Sequence, residues 1–183
     1  MSPDYVHHFT DTARLPWILK SRQLQPGRNK IGGYPDPDFL WASIDPKDDR
    51  TASAHRGKHY KAGAVRHVRF TLRRSDFLLW FQIPELFPQW APHVARLEST
   101  ARGHNPAEWF CREGPLPLSD CVAIHTRSYT RNKWVPLLPE EARVTVFGDI
   151  LATTIKMRMF ASRQHVLPGG NVGYELCRLE GRA

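Results

Sequence analysis

The sequence predicts an α+β fold, a mostly antiparallel, twisted sheet with a few flanking helices. Three observations predict it. Helical periodicity is confined to one or two early stretches, short runs of β-branched and aromatic residues recur along the rest, and Pro/Gly clusters separate those runs. With 183 residues and 41% hydrophobic content, the chain is long enough to bury a single core without disulfides or metal.

Each element follows from a local pattern. In Tyr5-Val-His-His-Phe-Thr10, alternation puts Val6, His8 and Thr10 on one face and Tyr5, His7 and Phe9 on the other, which predicts the first strand. Thr12 is suited to cap a helix whose apolar positions Leu15, Ile18 and Leu19 recur at helical spacing, ending near Leu24 before Pro26-Gly27. Pro16 falls in its first turn, where no hydrogen bond is lost. Residues 27–37 read as a loop, Asp38–Ile44 as a short strand, and 45–63 as loop with one helical piece. From Val65 to Leu72 the alternation is regular, with Val65, His67, Arg69 and Thr71 opposite Arg66, Val68, Phe70 and Leu72. Trp80–Pro92 reads as irregular but packed, and His93–Arg102 as a short helix stopped by Gly103. Ala107–Cys111 and Asp120–Thr126 read as strands, as do Ala142–Phe147, Leu151–Met159 and Val172–Leu179, with a turn at Gly169-Gly-Asn171.

Charge narrows the function. Lys and Arg number 26 against 18 Asp and Glu, for a net +8. Between Arg50 and Arg74 stand Arg50, Arg56, Lys58, Lys61, Arg66, Arg69, Arg73 and Arg74, with His55, His59 and His67 and no acid at all. A solvated strand would account for a basic run, but surfaces that bind nothing carry mixed signs. This block therefore reads as a phosphate-contacting surface, for nucleic acid or for the pyrophosphate of a dinucleotide. No run approaches the ~20 apolar residues of a membrane span, and Met1-Ser-Pro-Asp4 lacks a signal peptide's basic start, so a cytoplasmic protein without a membrane partner is expected. Cys111, Cys121 and Cys177 form no paired pattern, which argues for reduced structural thiols and against a metal site.

Two places carry candidate chemistry. His8 and Thr10 aim an imidazole and a hydroxyl from one strand face, a pair able to hold a diol or an amide, although a buried His–Thr pair also serves as plain core. Glu108 lies among bulky apolar residues, where a carboxylate must either face outward or have a partner. Ile31-Gly-Gly-Tyr34 lacks the spacing of a phosphate loop, and neither an HExxH pattern nor a nucleophile elbow is present.

Taken in order, His8-Phe-Thr10, Leu15-Pro-Trp-Ile-Leu19 with Leu24, and Ala107-Glu108-Trp-Phe followed by Pro117 and Val122-Ala-Ile124 resemble the ADP-ribosyltransferase superfamily. Within it they are most similar to the DarT toxins, which modify thymidine in DNA. The resemblance covers about a third of the chain, and it implies an ADP-ribosyltransferase-like split sheet over residues 1–141, with 142–183 a β-rich extension packed on the same domain. It implies NAD as co-substrate, no metal, DNA ahead of RNA as acceptor, and an antitoxin or immunity protein as partner. By the resemblance His8, Thr10 and Leu15 hold NAD. The middle-motif aromatic of the superfamily corresponds to Trp41 or Ser43, and Glu108 is catalytic, stabilising the oxocarbenium-like ribose as nicotinamide leaves. The family's arginine near the nicotinamide corresponds to Arg50 or to Arg28, with Arg50 ahead because it opens the basic block. Arg56, Lys58, Lys61, Arg66, Arg69, Arg73 and Arg74 then face the nucleic acid.

Two other readings compete. A two-histidine phosphoesterase would pair His8-Phe-Thr10 with a second motif, for which only His67–Thr71 and His125–Ser128 offer material, both mis-spaced. A non-enzymatic nucleic-acid module would stack bases on Trp41, Trp80, Trp90 and Trp109 while the basic block follows phosphates.

Overall fold

A computed structural model describes residues 4–12, 14–26, 35, 39–47, 58–63, 66–101, 103–137, 164–166 and 172–174. The architecture is α+β. Seven strands form one antiparallel sheet: β1 (Tyr5–Asp11), β3 (Leu40–Ser43), β4 (His67–Arg73), β5 (Leu78–Leu79), β6 (Trp109–Arg112), β8 (Ala123–Arg127) and β9 (Val135–Pro136), in the order β5-β6-β3-β1-β4-β8-β9. A two-stranded ribbon joins β2 (Gln23–Leu24) to β7 (Leu116–Pro117), and a hairpin joins β10 (Gln164–Val166) to β11 (Val172–Tyr174). The helices are short: α1 (Leu15–Ser21), α2 (Lys58–Lys61), α3 (Ile83–Leu86) and α4 (Val94–Glu98).

Alternation in β1 and β4 assigns the faces. The two strands pair along seven positions, from Tyr5 opposite Arg73 to Asp11 opposite His67. Directly opposed residues share a face, so Val6, His8 and Thr10 lie with Leu72, Phe70 and Val68. This face carries α1: Leu15, Ile18, Leu24, Leu40, Ala42, Phe77, Phe110 and Leu116 join Val6, Val68, Phe70 and Leu72 in the larger core. The other face holds His7, Thr71, Ser43 and Arg69 at its centre. Toward β5 it holds a second core of Phe39, Trp80, Ile83, Trp90, Trp109 and Cys111, against which Trp41 packs.

Several boundaries differ from the sequence expectation for identifiable reasons. Thr12 does not cap α1, because Arg66 occupies it. Its N–H donates to the Arg66 carbonyl (2.9 Å) and its Oγ1 accepts from the Arg66 N–H (3.0 Å), which extends the β1–β4 ladder by one step. Asp11 serves the helix start instead, accepting the Arg14 N–H on Oδ1 (3.1 Å) and ion-pairing with the guanidinium through Oδ2 (2.6 Å). The helix stops at Ser21 rather than near Leu24, because Arg22 turns into the left-handed region (φ 54°) and Gln23–Leu24 leave to pair with β7. The 93–102 helix shrinks to α4, since the Ser99 and Thr100 hydroxyls donate to the Arg96 and Leu97 carbonyls just past its end. Asp120 belongs to a 3-10 turn (Leu118–Asp120), so β8 begins only at Ala123. Of the C-terminal expectations, Val172–Tyr174 is a strand, while Ala142–Phe147, Leu151–Met159 and the Gly169-Gly-Asn171 turn lie outside the described residues. The division at residue 141 falls outside them too.

Candidate functional site

Three segments far apart in sequence meet in the middle of the sheet. β1 carries His8 and Thr10, β3 carries Trp41 and Ser43, and β6 begins one residue after Glu108; these strands are consecutive neighbours in the order β6-β3-β1. His7, Ser43 and Trp109 form one row across them.

His8 is held in a defined tautomer. Its Nδ1 lies 2.7 Å from the Trp41 carbonyl oxygen, which can only accept, so Nδ1 carries the proton and Nε2 keeps its lone pair. Burial lowers its pKa, with the nearby Arg14 charge adding to that and the Trp41 bond opposing it. The ring is therefore neutral at pH 7, and Nε2 is an acceptor suited to a sugar hydroxyl. Thr10 is buried on the same face.

Glu108 sits in a 3-10 turn, not in a strand. Pro106 opens the turn with no N–H to offer a sheet, and Asn105 caps it by accepting the Ala107 N–H on its side chain (3.0 Å). The Glu108 carbonyl accepts from the Ile44 N–H (3.1 Å), fixing the half-buried residue at the mouth of β6 beside β3. Two strand spacings across and two residues along the sheet put Glu108 and His8 roughly 12 Å apart at Cα.

Other candidates are placed differently. Trp41 and Ser43 lie on the opposite sheet face from His8 and Thr10; only the Trp41 backbone reaches His8. Ser43 is buried and accepts the Asp45 N–H on Oγ (3.2 Å). Leu15 is in the larger core, where it packs under the sheet and has no free surface for a ligand. Arg28, Arg50 and Arg56 are outside the described residues, as is the side chain of Lys58.

The described residues of the basic block do not make one surface. β4 spreads it over about 20 Å of strand, with Arg73 and Arg74 at one end and Arg66 and Lys61 at the other. Arg74 lies over the Phe110 ring (5.4 Å) beside Asp4 and Tyr5, while Arg69 turns inward and donates to the Pro46 carbonyl. The sequence reading missed what joins Arg69. Arg69 and Arg127 both approach the Trp134 ring, at 4.8 and 4.7 Å, and Arg127 Nη1 (3.2 Å) and Trp134 Nε1 (3.0 Å) both donate to the Lys47 carbonyl. Burial, and then the charge of Arg127, lower the Arg69 pKa. The available signal was His125-x-Arg127 at strand spacing, next to Arg69 across the ladder. His7 was also missed: buried, 3.3 Å from Thr71 Oγ1, it has a pKa lowered to about 4, by burial first and then by Arg69.

Neither competing reading assembles its parts. His67 and His125 share the face of His7, opposite to His8, so among the described residues no second histidine motif confronts His8. Trp80, Trp90 and Trp109 are core residues, 4% exposed or less, within ring-contact distance of one another or of Trp41, which removes three of four base platforms. Among the described residues no helix is long and apolar enough to cross a membrane.

No family model, curated protein or solved structure matches the chain.

Proposed function

We propose that the chain is an NAD-dependent mono-ADP-ribosyltransferase acting on a macromolecular acceptor, with nucleic acid, and DNA ahead of RNA, as the acceptor class. One observation supports the reading: the residues to which the resemblance gives site roles, His8, Trp41 or Ser43, and Glu108, are separated by as many as 100 residues, yet they stand on β1, on β3 and one residue before β6, three neighbouring strands. An ADP-ribosyltransferase-like split sheet is the corresponding reading of the fold, and a toxin or defence role with an antitoxin partner that of the biology.

NAD supplies an activated C1′–N bond to nicotinamide. His8 Nε2 and the Thr10 strand orient its nicotinamide ribose through hydroxyl contacts. The Glu108 carboxylate opposes the positive charge that grows on the ribose as that bond breaks, and so favours the transition state over the ground state. The acceptor then adds to C1′ and loses its proton to solvent.

Incubation with NAD and separate DNA, RNA and protein pools, read by intact mass, tests the reading. The wild type should consume NAD and add one ADP-ribose per modified site, whereas Glu108→Gln should lower turnover by about 10²-fold or more with an unchanged melt. No adduct on any pool sinks the proposal.

A further inference from the structure

At the other end of β4 a second site is built from residues that the NAD reading does not use. A cavity of about 710 Å³ opens beside His67 and Arg127. It lies about three strands across and five residues along the sheet from Glu108, roughly 20 Å away. Its size falls within the range of small-ligand pockets, about 300–1,000 Å³.

Its walls have a definite chemistry. Tyr60 and His67 stack face to face, with centroids 3.9 Å apart and planes 4° apart, as a buried aromatic floor. Arg127 Nη2 donates to His67 Nδ1 (3.2 Å), so that nitrogen accepts and the imidazole is neutral. With Nη1 on the Lys47 carbonyl, the guanidinium is fixed in place. Lys61 adds a second, exposed cation from α2, and among the described residues no carboxylate lines the cavity. Tyr129 stands edge-on to Tyr60 at 5.6 Å yet remains 48% exposed, an aromatic ring at the rim with an open face. The loop that positions it curls because Asn132 adopts a positive φ (44°), a conformation Asn tolerates, and donates its N–H to the Ser128 carbonyl (3.0 Å). That curl also brings Thr130 and Asn132 to the rim.

Two cations, a flat aromatic surface and rim hydroxyl and amide groups are complementary to an anion attached to a planar, hydrogen-bonding ring. We propose that this cavity seats a nucleoside phosphate, with its base on Tyr129 and its phosphate toward Lys61 and Arg127. The same chemistry is offered by a free mononucleotide and by one unit of a single strand. The site goes beyond the NAD reading and stands without it.

Calorimetric titration of the full chain with inorganic phosphate, AMP and a thymidine octanucleotide tests it. Lys61 and Tyr129 are exposed, so Lys61→Gln and Tyr129→Ala should melt like the wild type. AMP or the octanucleotide should bind at least tenfold more tightly than phosphate. Tyr129→Ala should erase about tenfold of that advantage while leaving phosphate binding unchanged. Lys61→Gln should weaken all three ligands, and more so at low salt. An octanucleotide preferred over AMP identifies a strand as the source, and equal or better AMP binding identifies a free nucleotide. Lys61 and Tyr129 line this cavity and lie roughly 20 Å from Glu108, so a change in either variant reports this site and not the transferase one. If neither AMP nor the octanucleotide exceeds phosphate, or if Tyr129→Ala changes nothing, the proposal is overturned.

Discussion

Acidification should destabilise the fold through His7. The ring sits at the centre of the sheet, 9% exposed, and its pKa is lowered from 6.5 to about 4. Burial is the main cause and Arg69 the next; Asp45 pulls the other way, and His125 adds to the lowering. The folded state therefore disfavours the protonated ring, while the unfolded chain accepts a proton near 6.5. The stability that depends on a neutral His7 is full above that pH and drains away as pH falls toward 4. A displacement of this size corresponds to about 3 kcal/mol, and allowing for partial solvent screening leaves about 2 kcal/mol. His8 and His125 are lowered in the same direction, so the wild type should lose more than His7 alone accounts for. Urea unfolding followed by tryptophan fluorescence at pH 7 and at about pH 4.5 measures this. His7→Gln lowers stability at both pH values but removes the titration, so its loss on acidification should be about 2 kcal/mol smaller than that of the wild type. Equal losses in the two proteins would refute the assignment of a buried, neutral His7.

Two further predictions concern the frame around the site. Thr12→Ala deprives the Arg66 N–H of its acceptor hydroxyl and should cost about 1 kcal/mol, a fall of about 2–4 °C in a thermal melt; an unchanged melt would show that water replaces the hydroxyl without penalty. Burial, and then the neighbouring Asp120, push the Cys121 thiol up to about 11, and Cys111 is fully buried. In a Cys177→Ser background a thiol reagent at pH 8 should label the native protein only slowly and both cysteines at once in denaturant; fast native labelling would contradict the placement of Cys121.

Period-two patterns were legible in the sequence because two residues per repeat is a property of the strand itself: Val6/His8/Thr10 and Val68/Phe70/Leu72 read directly into the faces they occupy. The stretch from Trp80 to His93 was legible as packed but not as 3-10 and α turns, since its prolines break any period while its aromatics still demand burial. Thr12 misled because capping is a local rule, and the N–H that claimed its hydroxyl comes from Arg66, 54 residues away. The same limit applies to charge. Composition located basic residues along the chain, but the Arg69–Trp134–Arg127 group depends on β4, β8 and β9 being neighbours, which no local window contains. For the candidate site, His8 and Glu108 were legible as residues; their proximity across three strands was a property of the topology.

That topology also sets the order in which the chain can assemble. β1 is made early and lies at the centre of the sheet, yet its hydrogen-bonding partner β4 follows about 60 residues later and β6, which completes that side, about 100 later. Such long loops must close before their pairing is rewarded, so refolding should run in milliseconds to seconds rather than microseconds. At about 5–20 residues per second of synthesis, Val6 and Phe9 wait several seconds for the strands that cover them. During that interval α1, the one neighbour with only local requirements, is the element able to shield Val6, whose face of the sheet it covers.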